Sequence, residues 1–237
     1  MKNTTTSTMT KSPQVSTHKS VETSSDASFE KLYLKKDYKG AVNYLLQNKQ
    51  RFDSGIFHYN LGTVYSKIGD QPTARFHLEK AIKEGHINSS SLNNLTYVRN
   101  QLQVDDLSTS SNFPDQFMNY SLAIPPAVYL SISLLFLLLG ISLIKSKKLI
   151  KKTSIAIFIL LIVLPVSFSN LYLDKINYAV AFKDVPLYEG PSKIFSEKGK
   201  VKAGSKIILG EFKEGWFYVK FPISLTGWIN KDQLGIY

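Results

Sequence analysis

Two uncharged runs with a lysine cluster between them constrain this chain more than any other feature. Residues 122–144 read LAIPPAVYLSISLLFLLLGISLI and residues 153–173 read TSIAIFILLIVLPVSFSNLYL, 23 and 21 positions without a charge. At ~1.5 Å per residue, about 20 helical residues cross a hydrocarbon core, so each run is long enough. A core helix of a soluble protein keeps a polar stripe for solvent, and neither run has one. Both are expected to span a membrane. The eight residues between them allow only a tight hairpin, which would place both outer flanks on one face.

The loop contains Lys145, Lys147, Lys148, Lys151 and Lys152. Lys and Arg close to span ends hold a loop on the cytoplasmic side. The outer flanks are poor in positive charge: Asp105, Asp106 and Asp115 precede the first run with no Lys or Arg after Arg99, and Asp174 and Lys175 follow the second. The loop is therefore expected in the cytoplasm and both soluble parts outside. No apolar segment follows Lys2, so no export leader is evident there. Three arrangements accommodate this: a true start upstream, a first span that carries its own N-terminal part across, or an inverted hairpin with both parts cytoplasmic. The lysine balance favours the outside placement. Within the hairpin, residues whose numbers sum to about 297 should share a depth. Small polar side chains favour helix contacts in lipid. Ser131, Ser133, Ser167 and Ser169 are expected in the span–span contact, with Phe136 and Phe158 facing outward.

The formal charge of +11 divides as about +3 for residues 1–123, +5 for the loop and +3 for residues 174–237. Neither soluble part carries the basic stripe that nucleic acid needs. The chain has no cysteine, which excludes disulfides, thiolate metal sites and cysteine nucleophiles. Its four histidines are His18, His58, His77 and His86, and no HxxxH, GxSxG or Walker-type glycine loop occurs. No catalytic constellation, cofactor or metal site is expected. Residues 1–28, rich in Thr and Ser, hold too little apolar surface to fold.

Residues 29–103 repeat. GIFHYNLGTVYSKIGDQPTARFHLEKAIKEGH, from Gly55, places Leu61-Gly62 and Tyr65 on a first helix and Gly69-Asp70 at a turn. Ala74, Leu78 and Ala81 follow on a second helix. DYKGAVNYLL puts Ala41 33 residues before Ala74, and SSSLNNLTYVRNQL puts Leu95 34 residues after Leu61. The unit resembles a tetratricopeptide (TPR) repeat, departing at His58 and His86, with the third helix acting as a cap. Such repeats bind extended segments along their first helices. Tyr59, Asn60, Thr63 and Lys67, then Asn93, Asn94, Tyr97 and Gln101, are the expected groove residues. Asn60 and Asn94, 34 residues apart, would offer amides to a peptide backbone. The alternative for Asn60 is a purely structural place in YNLG. Residues 104–121 read as a linker.

Residues 174–237 change character: short β-rich runs at Tyr178–Phe182, Lys206–Gly210, Trp216–Lys220 and Gly227–Ile229, broken at Glu189-Gly190-Pro191, Ala203-Gly204 and Glu214-Gly215. That pattern suits a small closed barrel. VPLYEGPS, VKAGSKI, EGWFYVKF and TGWINKDQL resemble the bacterial SH3 (SH3b) domain. Tyr188, Phe195, Trp216, Tyr218 and Trp228 are its ligand candidates. Trp216 and Val219 are expected in the core, and Tyr188 and Phe195 on an exposed loop. SH3b domains often accompany cell-wall cysteine peptidases, an activity that a chain without cysteine lacks.

The order of TPR repeats, paired spans and SH3b resembles the BatE family of the Bacteroides-type aerotolerance operons across nearly the whole length. The resemblance implies an all-α repeat part, a two-helix transmembrane hairpin and an all-β SH3-like barrel in a bacterial inner-membrane protein with both soluble parts periplasmic. It implies a scaffold acting with von Willebrand factor A-domain Bat proteins under oxidative or envelope stress, and no catalytic residue carries over. The competing expectation is a cell-wall receptor whose barrel binds peptidoglycan, with the repeats as a spacer.

Overall fold

Five helices stack in sequence order at the N-terminal side: α1 (Ser24–Leu34), α2 (Tyr38–Gln47), α3 (Ser54–Ile68), α4 (Gln71–Lys83) and α5 (Ser89–Leu102). The structure, a computed structural model, describes residues 24–104, 106–148 and 151–237. Most of the stretch expected to lack structure lies outside the described residues, and α1 begins inside its last five positions. The helix boundaries follow local chemistry. The Asp53 carboxylate accepts from the Gly55 and Ile56 amides to start α3, and Asp70 accepts from Thr73 with Pro72 in the first turn of α4. Gly69, at φ +95°, closes α3 in the left-handed conformation. Asn88 and Ser91 form a reciprocal cap on α5.

The small residues do what their spacing predicts. Ala41, Ala74 and Ala81 are fully buried, and a Cβ on Gly62 would fall 2.7 Å from Leu78 Cγ, so α3 and α4 meet almost backbone to backbone. Phe29, Val42, Leu45, Phe57, Leu61 and Val64 form one core. Tyr59, Leu78, Leu95 and Val98 belong to a second.

The chain then runs through α6 (Phe113–Ala123) into α7 (Pro126–Lys145) and α8 (Lys152–Ser167), the last continued by a π-helical segment, Phe168–Leu173. Helices Pro126–Lys145 and Lys152–Leu173 are long and apolar enough to cross a membrane, and only 17% and 6% of their most apolar stretches are buried. A helix in a soluble core would be mostly covered, so these two present their apolar sides outward. The first apolar helix starts at Pro126 rather than Leu122. Pro126 biases Pro125 away from helical geometry, and proline at the first helical position begins the new helix. Pro165 sits inside α8, one turn before the backbone widens to the π form.

The span–span contact is partly corrected. Ser133 and Ser169 are buried. Ser131 is exposed, its hydroxyl donating to the Ala127 carbonyl at 2.8 Å, and Phe158 faces inward. A Cβ on Gly140 would lie 3.3 Å from the Phe158 ring. The flat glycine surface accepts the ring, an option that a serine-centred reading overlooks.

Beyond the hairpin lie seven antiparallel strands: β1 (Asn177–Ala181), β2 (Val185–Tyr188), β3 (Glu197–Val201), β4 (Lys206–Lys213), β5 (Trp216–Phe221), β6 (Gly227–Asn230) and β7 (Leu234–Ile236). Their order is β3-β2-β6-β5-β4-β1-β7. Residues from all seven, among them Ala179, Leu187, Val201, Ile207, Val219, Ile229 and Leu234, share one core. Strands sit about 4.8 Å apart, so a flat sheet of seven would not bring its two edges to one cluster, and the sheet must curl.

The helical layer and the sheet are docked on each other through α4. Phe76 packs edge-on to Phe182, with centroids 5.4 Å apart, and near Tyr237. A Cβ on Gly235 would fall 2.5 Å from the Phe76 ring. Arg75, 1% exposed, donates through Nη1 to the Gly204 carbonyl at 2.9 Å and through Nη2 to Asp106. Lys206 Nζ donates to Glu79 Oε2 at 2.6 Å. Asp115 on α6 accepts from the Ile223 amide at 2.9 Å. The helical layer, the segment after α5 and the sheet thus share one polar joint.

Candidate binding site: an aromatic face on the sheet

Side chains alternate along a strand, so register fixes which face each residue joins. Tyr218 is paired with Trp228, Trp216 with Asn230, and Tyr188 with Trp228. Their neighbours Phe217, Val219, Ile229 and Leu187 fill the core. Tyr188, Trp216, Tyr218 and Trp228 therefore occupy the opposite, outer face. Two edge-on ring pairs build it: Tyr188–Trp216 with centroids 5.4 Å apart and Tyr218–Trp228 at 5.6 Å. Such geometry fixes the rings edge to face, with Trp216 buried and Tyr188, Tyr218 and Trp228 half-buried. Trp216 is buried as expected, 8% exposed, with its ring edge-on to Tyr188. Val219 is in the core as expected.

Phe195, 49% exposed, comes from the loop between β2 and β3. Its ring lies over Gly190, where a Cβ would sit 2.6 Å away. Four of the five aromatic candidates thus share one surface, and Phe195 stands on the loop that follows β2 beside it in sequence. That surface is a platform for flat or apolar ligand groups. Among the described residues no group of three or more His, Asp or Glu is placed to hold a metal ion.

The expected groove on the helical layer fares differently. Tyr59, Thr63 and Asn94 are 1%, 1% and 0% exposed, and Asn60 is buried as well. Asn94 Nδ2 donates to Thr63 Oγ1 at 3.1 Å and to the Tyr59 hydroxyl at 3.4 Å. Thr63 Oγ1 in turn donates to the Tyr59 carbonyl at 2.9 Å. These residues tie α5 to α3, and their polar atoms face each other rather than a ligand. The paired-amide reading of Asn60 and Asn94 is corrected accordingly, at least for Asn94: the third helix sits close enough to engage it. Asn93 and Gln101 are exposed, while Lys67 and Tyr97 are half-buried, so what remains for a partner is a narrow strip of α5. In the hairpin loop Lys145, Lys147, Lys148, Lys151 and Lys152 are all exposed.

A histidine pair, His58 buried and His77 half-buried, lies beside the joint. His58 Nδ1 and His77 Nδ1 are 2.8 Å apart, so one ring donates and the other accepts, and both are neutral. Tyr65 stacks on His77 with centroids 5.5 Å apart. Burial, with Lys80 nearby, pushes His58 down to about 4 against the pull of Glu84. Burial and then His58 and Lys80 push His77 down to about 3. At the joint, burial alone would raise Asp106 and Glu79. Arg75 with the Ser108 hydrogen bonds outweighs it for Asp106, and Lys206 with Arg75 does so for Glu79, so both carboxyls are held below their ordinary range.

Sequence reasoning missed Arg75, Glu79, Asp106 and Lys206. Arg75 and Glu79 stand four apart on α4, the spacing of an ordinary solvated helix face. Lys206 lies 127 positions after Glu79, and no local pattern connects the two. No known family, curated protein or solved structure matches the chain.

Proposed function

We propose that this chain is a non-enzymatic, membrane-anchored adaptor of the bacterial envelope, with TPR-like repeats, an SH3b-like sheet and a hairpin whose lysine loop is cytoplasmic. The observation that carries the reading is the joint. Two soluble parts that pack through Arg75, Phe76 and Glu79 have to lie on one side of any bilayer, as a two-span hairpin requires. The docking leaves the aromatic face of the sheet outward, and that face is the partner site. The BatE-like arrangement of parts supports a role beside von Willebrand factor A-domain membrane proteins in an aerotolerance or stress-related complex.

A second reading, a cell-wall receptor, draws on the same platform, because stacked aromatic rings also hold the apolar faces of sugars. Purified murein incubated with the full chain in detergent separates the two. Failure of murein to retain the wild-type chain, together with capture of an envelope protein that Trp228→Ala abolishes, supports the adaptor. Retention by murein that Trp228→Ala and Tyr218→Ala both abolish supports the receptor. Capture unchanged by either substitution refutes the aromatic site.

A further inference from the structure

We infer that the joint holds an oxyanion site, built round Arg99, for a phosphate group. Two adjoining cavities open there. One, of about 550 Å³, is lined by Arg75, Thr96, Arg99, Asn100, Gln103 and Thr109 among others. The second, of about 240 Å³, shares Arg75, Arg99 and Asp106 and reaches Glu79, Lys206, Leu122 and Ala123.

Among the described residues at the joint, three cations meet two carboxylates. Arg75 is paired with Asp106 and Lys206 with Glu79. Arg99 is the third cation. Its Nη2 donates to Ser108 Oγ and stands 3.9 Å from Asp106 Oδ2. That carboxylate already accepts from Arg75 and from the Ser108 amide and hydroxyl. A guanidinium has five N–H donors, and the Arg99 side chain is 38% exposed at the cavity. Independently, Nε of the buried Arg75 has no hydrogen-bond partner, its nearest acidic oxygen being Glu79 Oε1 at 3.7 Å. A buried N–H of this kind costs stability unless something accepts from it. Both guanidinium groups line the cavity, Arg99 with exposed donors and Arg75 buried behind it.

Phosphate fits these donors better than a carboxylate. Its oxygens point in several directions, and the cavity offers guanidinium, hydroxyl and amide groups from both α5 and the linker. The larger cavity also leaves room for whatever the phosphate is attached to. Ala123 lies three residues before Pro126, where the first apolar helix begins, so the second cavity sits next to the level at which lipid headgroup phosphates lie. The phosphate therefore comes either from an anionic phospholipid or from a free phosphate compound, and the two sources share this chemistry.

The test uses the full chain in neutral detergent and follows its melting temperature. Inorganic phosphate is titrated against chloride at matched ionic strength, and a phosphatidylglycerol is titrated separately against a phosphatidylcholine of equal chain length. The expected result is saturable stabilisation by one of the two anions, with binding weakened about tenfold or more in Arg99→Gln. Asn100→Asp, an exposed position, should weaken it too by placing a negative charge in the cavity. Phosphate alone sufficing assigns a soluble ligand, and dependence on phosphatidylglycerol assigns a lipid headgroup. Stabilisation by neither anion, or to the same degree in wild type and both variants, overturns the site.

Discussion

At the scale of single residues, the buried polar groups are the most exposed to test. His58 and His77 are neutral in the fold, with protonation pushed down to about 4 and about 3, whereas an unfolded histidine titrates near 6.5. The unfolded chain therefore binds more protons between those values. Their contribution to stability is complete above about pH 6.5 and declines as pH falls, with a slope of up to about 1.4 kcal/mol per pH unit per histidine. Denaturant titrations between pH 7.5 and 4.5 should show that decline, and the double variant His58→Phe/His77→Leu should flatten it. An unchanged slope would mean the pair is not what titrates. Arg75→Met makes a second case: it leaves buried Asp106 with only the more distant Arg99 as a cation, which should cost up to about 3–5 kcal/mol. The double variant Arg75→Met/Asp106→Leu should recover much of that loss in thermal melts.

Elements differ in how far the sequence disclosed them. α3 and α4 were legible because glycine and alanine stand at the positions of closest helix approach, and Gly62 and Ala74 meet there as their spacing requires. β1, β4, β5 and β6 were legible from dense β-branched and aromatic residues. β2 was hidden by Pro186, β3 by the polar run EKGKV and β7 by its three-residue length, because their pairing is decided by neighbours rather than by propensity. The same reason hid the binding faces. Tyr59 and Asn94 sit at groove-like positions, but whether a groove is open depends on how tightly α5 closes on α3. Trp216 reads as core by size and is buried, while only cross-strand register shows that it lies beside Tyr188, Tyr218 and Trp228. In α4, Ala74→Leu should destabilise by about 1–3 kcal/mol through overpacking. Phe76→Ala should instead loosen the docking of α4 on the sheet, read as faster hydrogen exchange along β1 and β7 with the amides of α2 unchanged. Equal acceleration in all three would make the chain a single cooperative unit with no separable joint. In the hairpin, oxidation should crosslink Gly140→Cys with Phe158→Cys efficiently and Ser131→Cys with Phe158→Cys poorly, and the opposite order would show that the helices meet through other faces.

For the whole molecule, the organising feature is the joint between the helical layer and the sheet. Arg75, Phe76 and Glu79 on one side and Phe182, Gly204, Lys206 and Gly235 on the other bring together segments that the two apolar helices separate in sequence. Such packing cannot form across a bilayer, so in the proposed membrane arrangement both parts share one compartment and the hairpin loop faces the other. The proposed partner surface depends on this arrangement: the sheet turns its β1–β7 side to α4 and keeps Tyr188, Tyr218 and Trp228 free to meet a ligand. Because the chain has no cysteine, one reactive thiol can be placed at will. The most direct measurement is labelling by a membrane-impermeant maleimide in intact spheroplasts of cells producing Asn93→Cys, Phe195→Cys or Lys148→Cys. The account predicts labelling of Asn93→Cys and Phe195→Cys together, and of Lys148→Cys only after the membrane is opened. Labelling of Asn93→Cys without Phe195→Cys, or the reverse, would put the two soluble parts on opposite sides and contradict it.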